Sequence, residues 1–422
     1  MTLSALRMRN YRSFAESQTL QLRPLTLFYG GNSAGKSALV RLLPLLSDSV
    51  ASDSTAPLNL ASPVVRGGTF RDLRWKEPTG ESSPTLDLEL EWREAGQRTL
   101  ARFSLDEVRP WQRLVLLNFQ LLEGPEQPLL EGSWVARTEE QQSSALSYTL
   151  SSRQERVELP VQFRGLVPET PSGNTWPAWE QLRQRLLGLR RSVLWLGSRQ
   201  HPERISPRPP GPRWTLKPDG TDLGALLASQ PEVLDSVSAW CQRHLRRSVE
   251  ITDVPPAHFQ VTLRHLDRPT LDVDLLDSGE GVLKVMPVLA AMALAERNRP
   301  EAPRYLCIEE PESHLHPVLQ RALSEHVTET VGRLQPGSRI LMETHSQHIL
   351  LGMQIQVARG RLRPDQVQVY WVHQDEQGRS RAEPVSLSEE GRLVGGWPSD
   401  VYSEINDMAA ELILARQESG RA

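Results

Sequence analysis

A glycine-rich segment near the start of the sequence has the composition of a phosphate-binding loop. It fits the pattern G-x-x-x-x-G-K-[ST] without deviation, and its residues are Gly30, Gly31, Asn32, Ser33, Ala34, Gly35, Lys36 and Ser37. Glycines let the backbone wrap around phosphate oxygens with its N–H groups. The lysine adds a point charge for the β- and γ-phosphates, and the serine hydroxyl is a ligand for Mg²⁺. The spacing therefore predicts that the chain binds MgATP through this segment.

Two adjacent carboxylates, Glu309 and Glu310, follow the apolar run Tyr305–Ile308. Carboxylates at the C-terminal end of a strand, beside a phosphate loop, suit phosphoryl transfer from ATP to water. We predict that Glu309 holds Mg²⁺ through water as a metal residue, and that Glu310 is the catalytic residue of an ATPase and orients the attacking water. Glutamate at the first of these positions is one methylene longer than the more usual aspartate.

Nearby histidines leave a transition-metal site as an alternative. The candidate ligands are His314, His316, His345 and His348, with Glu309, Glu310 and Glu312. His345 and His348 share a helix face only if both lie in one helix. The strand-like run before His345 places it on a turn instead, so this alternative is the less favoured one.

The segments around these motifs predict the elements that position them. The apolar run Leu25–Gly30 predicts a strand entering the loop, and the next segment predicts a helix that Pro44 ends or kinks. Period-two alternation over 76–165 predicts a mostly antiparallel sheet. We predict four parts, namely 1–75 as the first half of a nucleotide-binding head, 76–249 as an insertion with a β-rich and then a helical part, 250–352 as the second half, and 353–422 as a small C-terminal domain.

Composition is that of a folded protein. The 422 residues are 38% hydrophobic and 24% charged, and a formal charge of -4 neither demands nor excludes a nucleic-acid partner. Two cysteines, Cys241 and Cys307, lack the spacing of a metal site and suit a reducing compartment. The sequence contains no signal peptide and no apolar run long enough for a bilayer, so we expect a cytoplasmic protein with no membrane partner.

The order of motifs resembles that of ABC-type ATPase heads in the RecF, SMC and OLD (overcoming lysogenization defect) branch. The matching motifs are N-Y-R-S-F, the phosphate loop, an S-G-rich helix start, E-E-P-E-S-H-L-H-P and T-H-S, within 1–75 and 250–352. The resemblance implies an α/β fold: an ABC-type P-loop NTPase head with a β-rich N-terminal lobe, a large β-plus-helix insertion and a small α+β C-terminal extension. It also implies that MgATP is sandwiched between protomers of a homodimer or higher oligomer.

Site residues follow from the same resemblance. His345 corresponds to the switch histidine that contacts the γ-phosphate, and Ser313–Pro317 to the D-loop that touches the opposite subunit. The segment Asp277–Gly281 stands where the ABC signature belongs, although it is not a clean L-S-G-G-Q. Either the Ser278 hydroxyl or the backbone of Gly279 or Gly281 would contact the partner's nucleotide. The region 62–75, where a Q-loop is expected, contains no glutamine.

The C-terminal segment bears on the biological role. Residues 353–422 are too few for the Toprim nuclease of OLD proteins, and they resemble the short uncharacterised C-terminal domain of AAA family ATPases in bacterial anti-phage defence systems. The leading hypothesis is therefore an ATPase that regulates a separate effector in prokaryotic antiviral defence. A RecF-like DNA-binding ATPase is the alternative, with arginines in 183–191 and 201–213 as candidate contacts. A transporter ATPase is disfavoured by the large β-rich insertion and the atypical signature.

Overall fold

The computed structural model describes residues 2–52, 54, 56–77, 85–94, 96–124, 127–152, 155–169 and 176–395. The last part of the C-terminal domain predicted at 353–422, residues 396–422, lies outside these residues. The described strands are β1 (Thr2–Arg9), β2 (Gln18–Gln21), β3 (Leu25–Gly30), β4 (Leu86–Glu94), β5 (Gln97–Val108), β6 (Arg113–Glu123), β7 (Gln127–Trp134), β8 (Ala145–Ser152), β9 (Arg156–Arg164), β10 (Val167–Pro168), β11 (Val193–Leu196), β12 (Ser206–Pro207), β13 (Arg247–Val254), β14 (His258–His265), β15 (Arg268–Asp274), β16 (Tyr305–Glu309), β17 (Arg339–Thr344), β18 (Val367–Gln374), β19 (Ser380–Leu387) and β20 (Leu393–Val394). The described helices are α1 (Lys36–Ala51), α2 (Phe70–Leu73), α3 (Pro177–Leu187), α4 (Leu223–Ser229), α5 (Pro231–Leu245), α6 (Glu280–Ala295), α7 (Pro317–Arg333) and α8 (Gln347–Ala358).

A central sheet carries the predicted motifs. Its described strands run in the order β11-β16-β17-β3-β18-β19-β20. The five from β11 to β18 are parallel, and β19 and β20 close one side antiparallel. Parallel strands end at one edge of a sheet, so the phosphate loop after β3, Glu309 at the end of β16 and the end of β17 come together there.

Burial on both faces explains the apolar strands. Every residue of β3 and of β16 is buried, as expected for parallel strands covered on two sides. Cys307 faces a core that includes α1 and the large antiparallel sheet, whereas Ile308 faces a second core that includes α6, α7 and α8. Alternation along each strand therefore decides which core a side chain joins.

Helix α1 continues through Pro44 to Ala51, so of the two outcomes predicted at this proline the end is wrong and the kink stays a prediction. A proline inside a helix removes one backbone hydrogen bond and costs about 3 kcal/mol. Burial of Leu39, Leu43 and Leu46 against the sheet outweighs this cost, because each buried leucine contributes about 1.5–3 kcal/mol.

The second large sheet has the order β10-β9-β8-β7-β6-β5-β4-β1-β2, and each described neighbouring pair in it is antiparallel. A smaller sheet joins β12, β14, β13 and β15, and α5 packs on β13. Strand pairing crosses the limits of the four predicted parts. Strand β4 pairs with β1, β11 lies in the central sheet, and β18 pairs with β3. The parts therefore share their sheets, and the division at 75, 249 and 352 stays a prediction.

Candidate functional site

The phosphate loop joins the end of β3 to the start of α1. Gly35 has φ +106° and Gly30 has φ +157°, and a Cβ on Gly30 would lie 2.0 Å from the carbonyl oxygen of Val372. Glycine is therefore required at both positions, for conformation at Gly35 and for close approach at Gly30. The Lys36 ammonium donates to the carbonyl oxygens of Gly30 at 3.0 Å and Gly31 at 2.6 Å, and burial lowers its pKa.

The hairpin formed by β18 and β19 supports this loop. The Ser380 hydroxyl lies 2.7 Å from the carbonyl oxygen of Ala34 and 2.7 Å from the Ser13 hydroxyl, and its backbone N–H donates to the carbonyl oxygen of Ser13 at 2.7 Å. A Cβ on Gly35 would lie 2.9 Å from each of these two hydroxyl oxygens. Strand β19 thus fixes the loop from outside, a role that no motif in the sequence indicated.

Glu309 ends β16 and is 3% exposed, yet its carboxylate is already bound by protein groups. Arg41 of α1 contacts both oxygens, through Nε at 2.6 Å to Oε1 and through a shorter contact from the second nitrogen to Oε2. The Trp195 indole N–H donates to Oε1 at 2.8 Å, and Arg66 lies 3.6 Å from Oε2. The predicted metal residue is therefore placed at the correct strand end but is held by Arg41.

Glu310 is the first residue of the turn after β16. Its φ of +43° is unusual for glutamate, and its backbone N–H donates to the carbonyl oxygen of Glu343 at 3.0 Å. The side chain is partly exposed and its Oε1 lies 4.0 Å from Nε2 of His345. This turn places Glu310 at the edge of the sheet where the phosphate loop lies, and its catalytic role stays a prediction.

His345 lies at the end of β17, on a turn as predicted. Its backbone N–H donates to Oε1 of the buried Glu312 at 2.8 Å, and its side chain lies near the backbone of Gly30. Burial lowers the pKa of His345, and the charge of Lys36 acts in the same direction. The histidine therefore lies beside the phosphate loop.

Glu343, two residues earlier, is a site residue that sequence reasoning missed. Its Oε1 accepts a hydrogen bond from the Ser37 hydroxyl at 2.8 Å, and it is 2% exposed. Burial raises its pKa to about 7, an effect to which Glu309 and Glu310 add, while the Ser37 hydrogen bond and Lys36 oppose it. Glu343 is the register partner of Glu309 in the β16–β17 pair, so the strand alignment was the signal that could have found it.

The histidine-rich alternative has little support in this geometry. Among the described residues, the one group with metal-ligand spacing is Glu310, Glu343 and His345, whose ligand atoms all lie within 4.8 Å of one another. His314 instead lies 3.0 Å from Glu280, and His316 caps α7 by accepting from the backbone of Val318.

The signature-like segment forms the start of α6, with Gly279 as its N-cap. The Ser278 hydroxyl donates to the carbonyl oxygen of Leu275 at 2.5 Å. A Cβ on Gly281 would lie 2.5 Å from the carbonyl oxygen of His314, so this segment packs on the predicted D-loop. In the part of the chain that the structure describes, no hydrogen bond joins Ser278, Gly279 or Gly281 to the phosphate loop.

The basic loop at 201–214 offers little free charge. Arg204 makes two hydrogen bonds to Asp277, at 2.8 and 2.6 Å. The other two arginines that the loop offers as candidate contacts are paired as well. Arg208 pairs with Asp253, and Arg213 donates to Asp222 at 3.0 Å.

A separate cavity of about 940 Å³ is rich in arginine. Arg185, Arg190, Arg191 and Arg304 line it together with Trp92 and Trp214. Arg185 is buried over the Trp92 ring, 5.8 Å from the ring centre, and burial lowers its pKa. Because the cavity also includes Ser192 and Tyr305, at the starts of β11 and β16, it lies at the opposite edge of the central sheet from the phosphate loop.

The fold is that of an ABC-type P-loop NTPase head, as the sequence predicted. Three solved structures align over 92% of the chain. They are the SMC head domain from Thermotoga maritima (12% identity, 100% of that chain, TM-score 0.46), the SmcHead bound to the C-winged helix domain of ScpA (10% identity, 99%, TM-score 0.51), and the Smc head domain with an extended coiled coil bound to the C-terminal domain of ScpA derived from Pyrococcus furiosus (9% identity, 97%, TM-score 0.47). The likeness to the second of these, with a TM-score of 0.51 at 10% identity, concerns the fold alone.

Sequence comparison gives a more limited result. Residues 218–351 match the family described as "AAA domain, putative AbiEii toxin, Type IV TA system", which is less than half of the chain. No curated protein matches the sequence significantly. None of the helices in the described ranges combines the length and apolar character that crossing a bilayer requires.

Proposed function

We propose that this chain binds MgATP and hydrolyses it to ADP and phosphate. The observation that carries the proposal is the convergence of Lys36 and Ser37 with Glu310, Glu343 and His345 at one edge of the parallel sheet. Lysine, a metal-binding hydroxyl, a carboxylate and a histidine next to a phosphate loop are the parts that phosphoryl transfer to water requires.

Each part has a distinct task in this proposal. The backbone N–H groups of Gly30–Ser37 and the start of α1 hold the phosphates, and the Lys36 ammonium exchanges its loop carbonyls for β- and γ-oxygens. The Ser37 hydroxyl would hold Mg²⁺, which would supply neutralisation of the phosphate charge. Glu310 orients the attacking water, and His345 donates to the γ-phosphate.

A second copy of the chain completes the site in the proposal. The N-terminus of α6 presents Ser278 and the backbone N–H groups of Gly279 and Gly281, which suit a γ-phosphate. Within the described residues no hydrogen bond joins them to the chain's own phosphate loop, and this supports a role toward a partner protomer. Packing of Gly281 on the D-loop segment supports the same arrangement, because both would then face the partner together.

The proposed biological role is regulation of a separate effector in prokaryotic antiviral defence. The resemblance of the motifs to OLD-branch ATPases supports this role, as does the toxin system named in the matching family. A cytoplasmic setting accords with the two buried, unpaired cysteines.

Two variants test the enzymatic proposal. Lys36→Ala is expected to abolish ATP binding, because the lysine supplies the charge nearest the phosphates. Glu310→Gln is expected to bind ATP but to hydrolyse it at least about 100-fold more slowly, since aligned groups of this kind contribute 10²–10⁴-fold. The Glu310→Gln variant should then accumulate as an ATP-bound oligomer. Phosphate release measures the rate of hydrolysis, and light scattering after gel filtration measures the accumulation of the oligomer. The exposed Glu389→Gln is the matched control. Unaltered turnover in both site variants would refute the proposal.

The arginine-lined cavity supports the alternative of direct DNA binding. Its exposed members, Arg190 and Arg191, have the charge and freedom to contact phosphates, unlike the paired arginines of the 201–214 loop. If DNA binds there, log affinity falls with log salt concentration, and each arginine changed to alanine reduces the slope by about 1. Arg208→Ala is the control, because Arg208 is already paired with Asp253. Absence of DNA binding even at low salt eliminates this alternative.

A further inference from the structure

Two buried carboxylates lie side by side beneath α1, and the groups that surround them differ. Glu309 and Glu343 are direct register partners on neighbouring parallel strands, and both point toward α1. Either could in principle approach a metal ion held by Ser37. The groups around each carboxylate decide between them.

Glu309 has its charge compensated by the protein. Arg41 contacts both of its oxygens, Trp195 donates to one of them at 2.8 Å, and Arg66 adds a second positive charge 3.6 Å away. Turning this carboxylate toward a metal would leave the buried Arg41 guanidinium without its partner, which is unfavourable in a site that excludes water.

Glu343 has the opposite surroundings. Its Oε1 accepts from Ser37 at 2.8 Å, the hydroxyl that the loop pattern assigns to Mg²⁺. Its Oε2 is buried and has no hydrogen-bond partner among the described residues. The charges of Lys36 and Arg41 both act on Glu343, but Arg41 is hydrogen-bonded to Glu309 and Lys36 leaves for the nucleotide in the proposed mechanism.

We propose that Glu343, and not Glu309, is the carboxylate that faces Mg²⁺ in this chain. Mg²⁺ favours carboxylate and hydroxyl oxygens and keeps several of its waters, so a buried carboxylate in contact with the ligating serine fits its needs. A partner cation also satisfies the otherwise unpartnered Oε2. Glu309 then has a structural task, because its pairing with Arg41 joins α1 to β16. This inference rests on the proposed binding of MgATP.

The test uses Mn²⁺ as a paramagnetic substitute for Mg²⁺ in the full chain, together with a non-hydrolysable ATP analogue. Electron paramagnetic resonance measures free Mn²⁺ and hence its affinity for the analogue-bound protein. Glu343→Gln is expected to weaken Mn²⁺ binding by about 10–100-fold, the range found for groups that orient a metal site. Glu309→Gln is the matched variant on the neighbouring strand, and it is expected to leave Mn²⁺ affinity unchanged while lowering the thermal midpoint.

Affinity for the analogue alone, measured in EDTA, separates this inference from the proposed function. Wild-type protein that binds no analogue in EDTA or in Mg²⁺ refutes MgATP binding as a whole. Two outcomes overturn the inference alone, provided that the analogue binds. One is an unchanged Mn²⁺ affinity in Glu343→Gln, and the other is a loss of Mn²⁺ affinity in Glu309→Gln that equals or exceeds the loss in Glu343→Gln. If Glu343→Gln does not fold, Glu343→Asp is measured in its place. Withdrawal of the carboxylate by one methylene is then expected to weaken Mn²⁺ binding about tenfold, and unchanged affinity again overturns the inference.

Discussion

Replacing Arg41 with methionine tests the most buried ion pair of the site. The side chain of Glu309 is 1% exposed and that of Arg41 9%, so the variant leaves a carboxylate in the interior without its main partner. Loss of one member of a buried pair costs about 3–5 kcal/mol. The Trp195 hydrogen bond at 2.8 Å and Arg66 at 3.6 Å remain, so we expect the lower end of that range for Arg41→Met.

A double-mutant cycle isolates the pair itself. Glu309→Gln keeps an acceptor for Trp195 but leaves the Arg41 guanidinium without a counter-charge, so it should also cost about 3 kcal/mol. The double variant removes both charges and should cost less than the two single changes together, with a coupling of about 2–3 kcal/mol.

Urea-induced unfolding measures the free energy of each variant, and the exposed pair Arg363–Asp365 provides the comparison. Arg363→Met should change stability by no more than about 1 kcal/mol, as is usual for exposed ion pairs. A coupling below about 0.5 kcal/mol, the limit of additivity, would show that Arg41 and Glu309 do not act as a pair and would refute the reasoning.

Two further changes probe the support of the loop and the response to pH. Ser380→Ala removes the hydroxyl beside the carbonyl oxygen of Ala34, and loss of about 1 kcal/mol should weaken ATP binding about fivefold in a fluorescence titration. The exposed Ser386→Ala is its control, and equal affinities in both variants contradict the proposed support. Burial lowers the pKa of His326 to about 4. The unfolded chain therefore takes up this proton at higher pH, and the free energy of unfolding should fall by about 3 kcal/mol as the pH drops from 6.5 to 4. His326→Gln should flatten that part of the stability curve, and an unchanged curve shows that another group is responsible.

The phosphate loop and the fold class could be predicted because their signals are local. The loop needs glycines at fixed spacing between a strand and a helix, and all of these lie within a few residues of each other. Strand β16 was equally visible, since an apolar run ending in Glu309 and Glu310 marks the C-terminal edge of a buried strand. The proximity of His345 to the loop could be predicted as well, because the strand before it ends at the same edge of the sheet.

Long-range pairings could not be predicted in this way. Arg41 and Glu309 are 268 residues apart, and Ser37 and Glu343 are 306 apart. Which glutamate faces Ser37 depends on the register of two strands and on an arginine one turn into α1. A sequence motif shows the types of these residues but not which of them pair with each other in the fold.

The hairpin that supports the phosphate loop has a consequence for how the protein is made. Strand β18 pairs with β3, and Ser380 of β19 contacts the loop at Ala34, although 346 residues separate Ser380 from Ala34. Until residues 367–387 have been synthesised, β3 lacks its β18 partner and its backbone groups on that side are unpaired. The loop therefore gains the support of Ser380 and of the β18 partner of β3 only after this hairpin has left the ribosome, so the local signal that marks the loop in the sequence is not enough to build it.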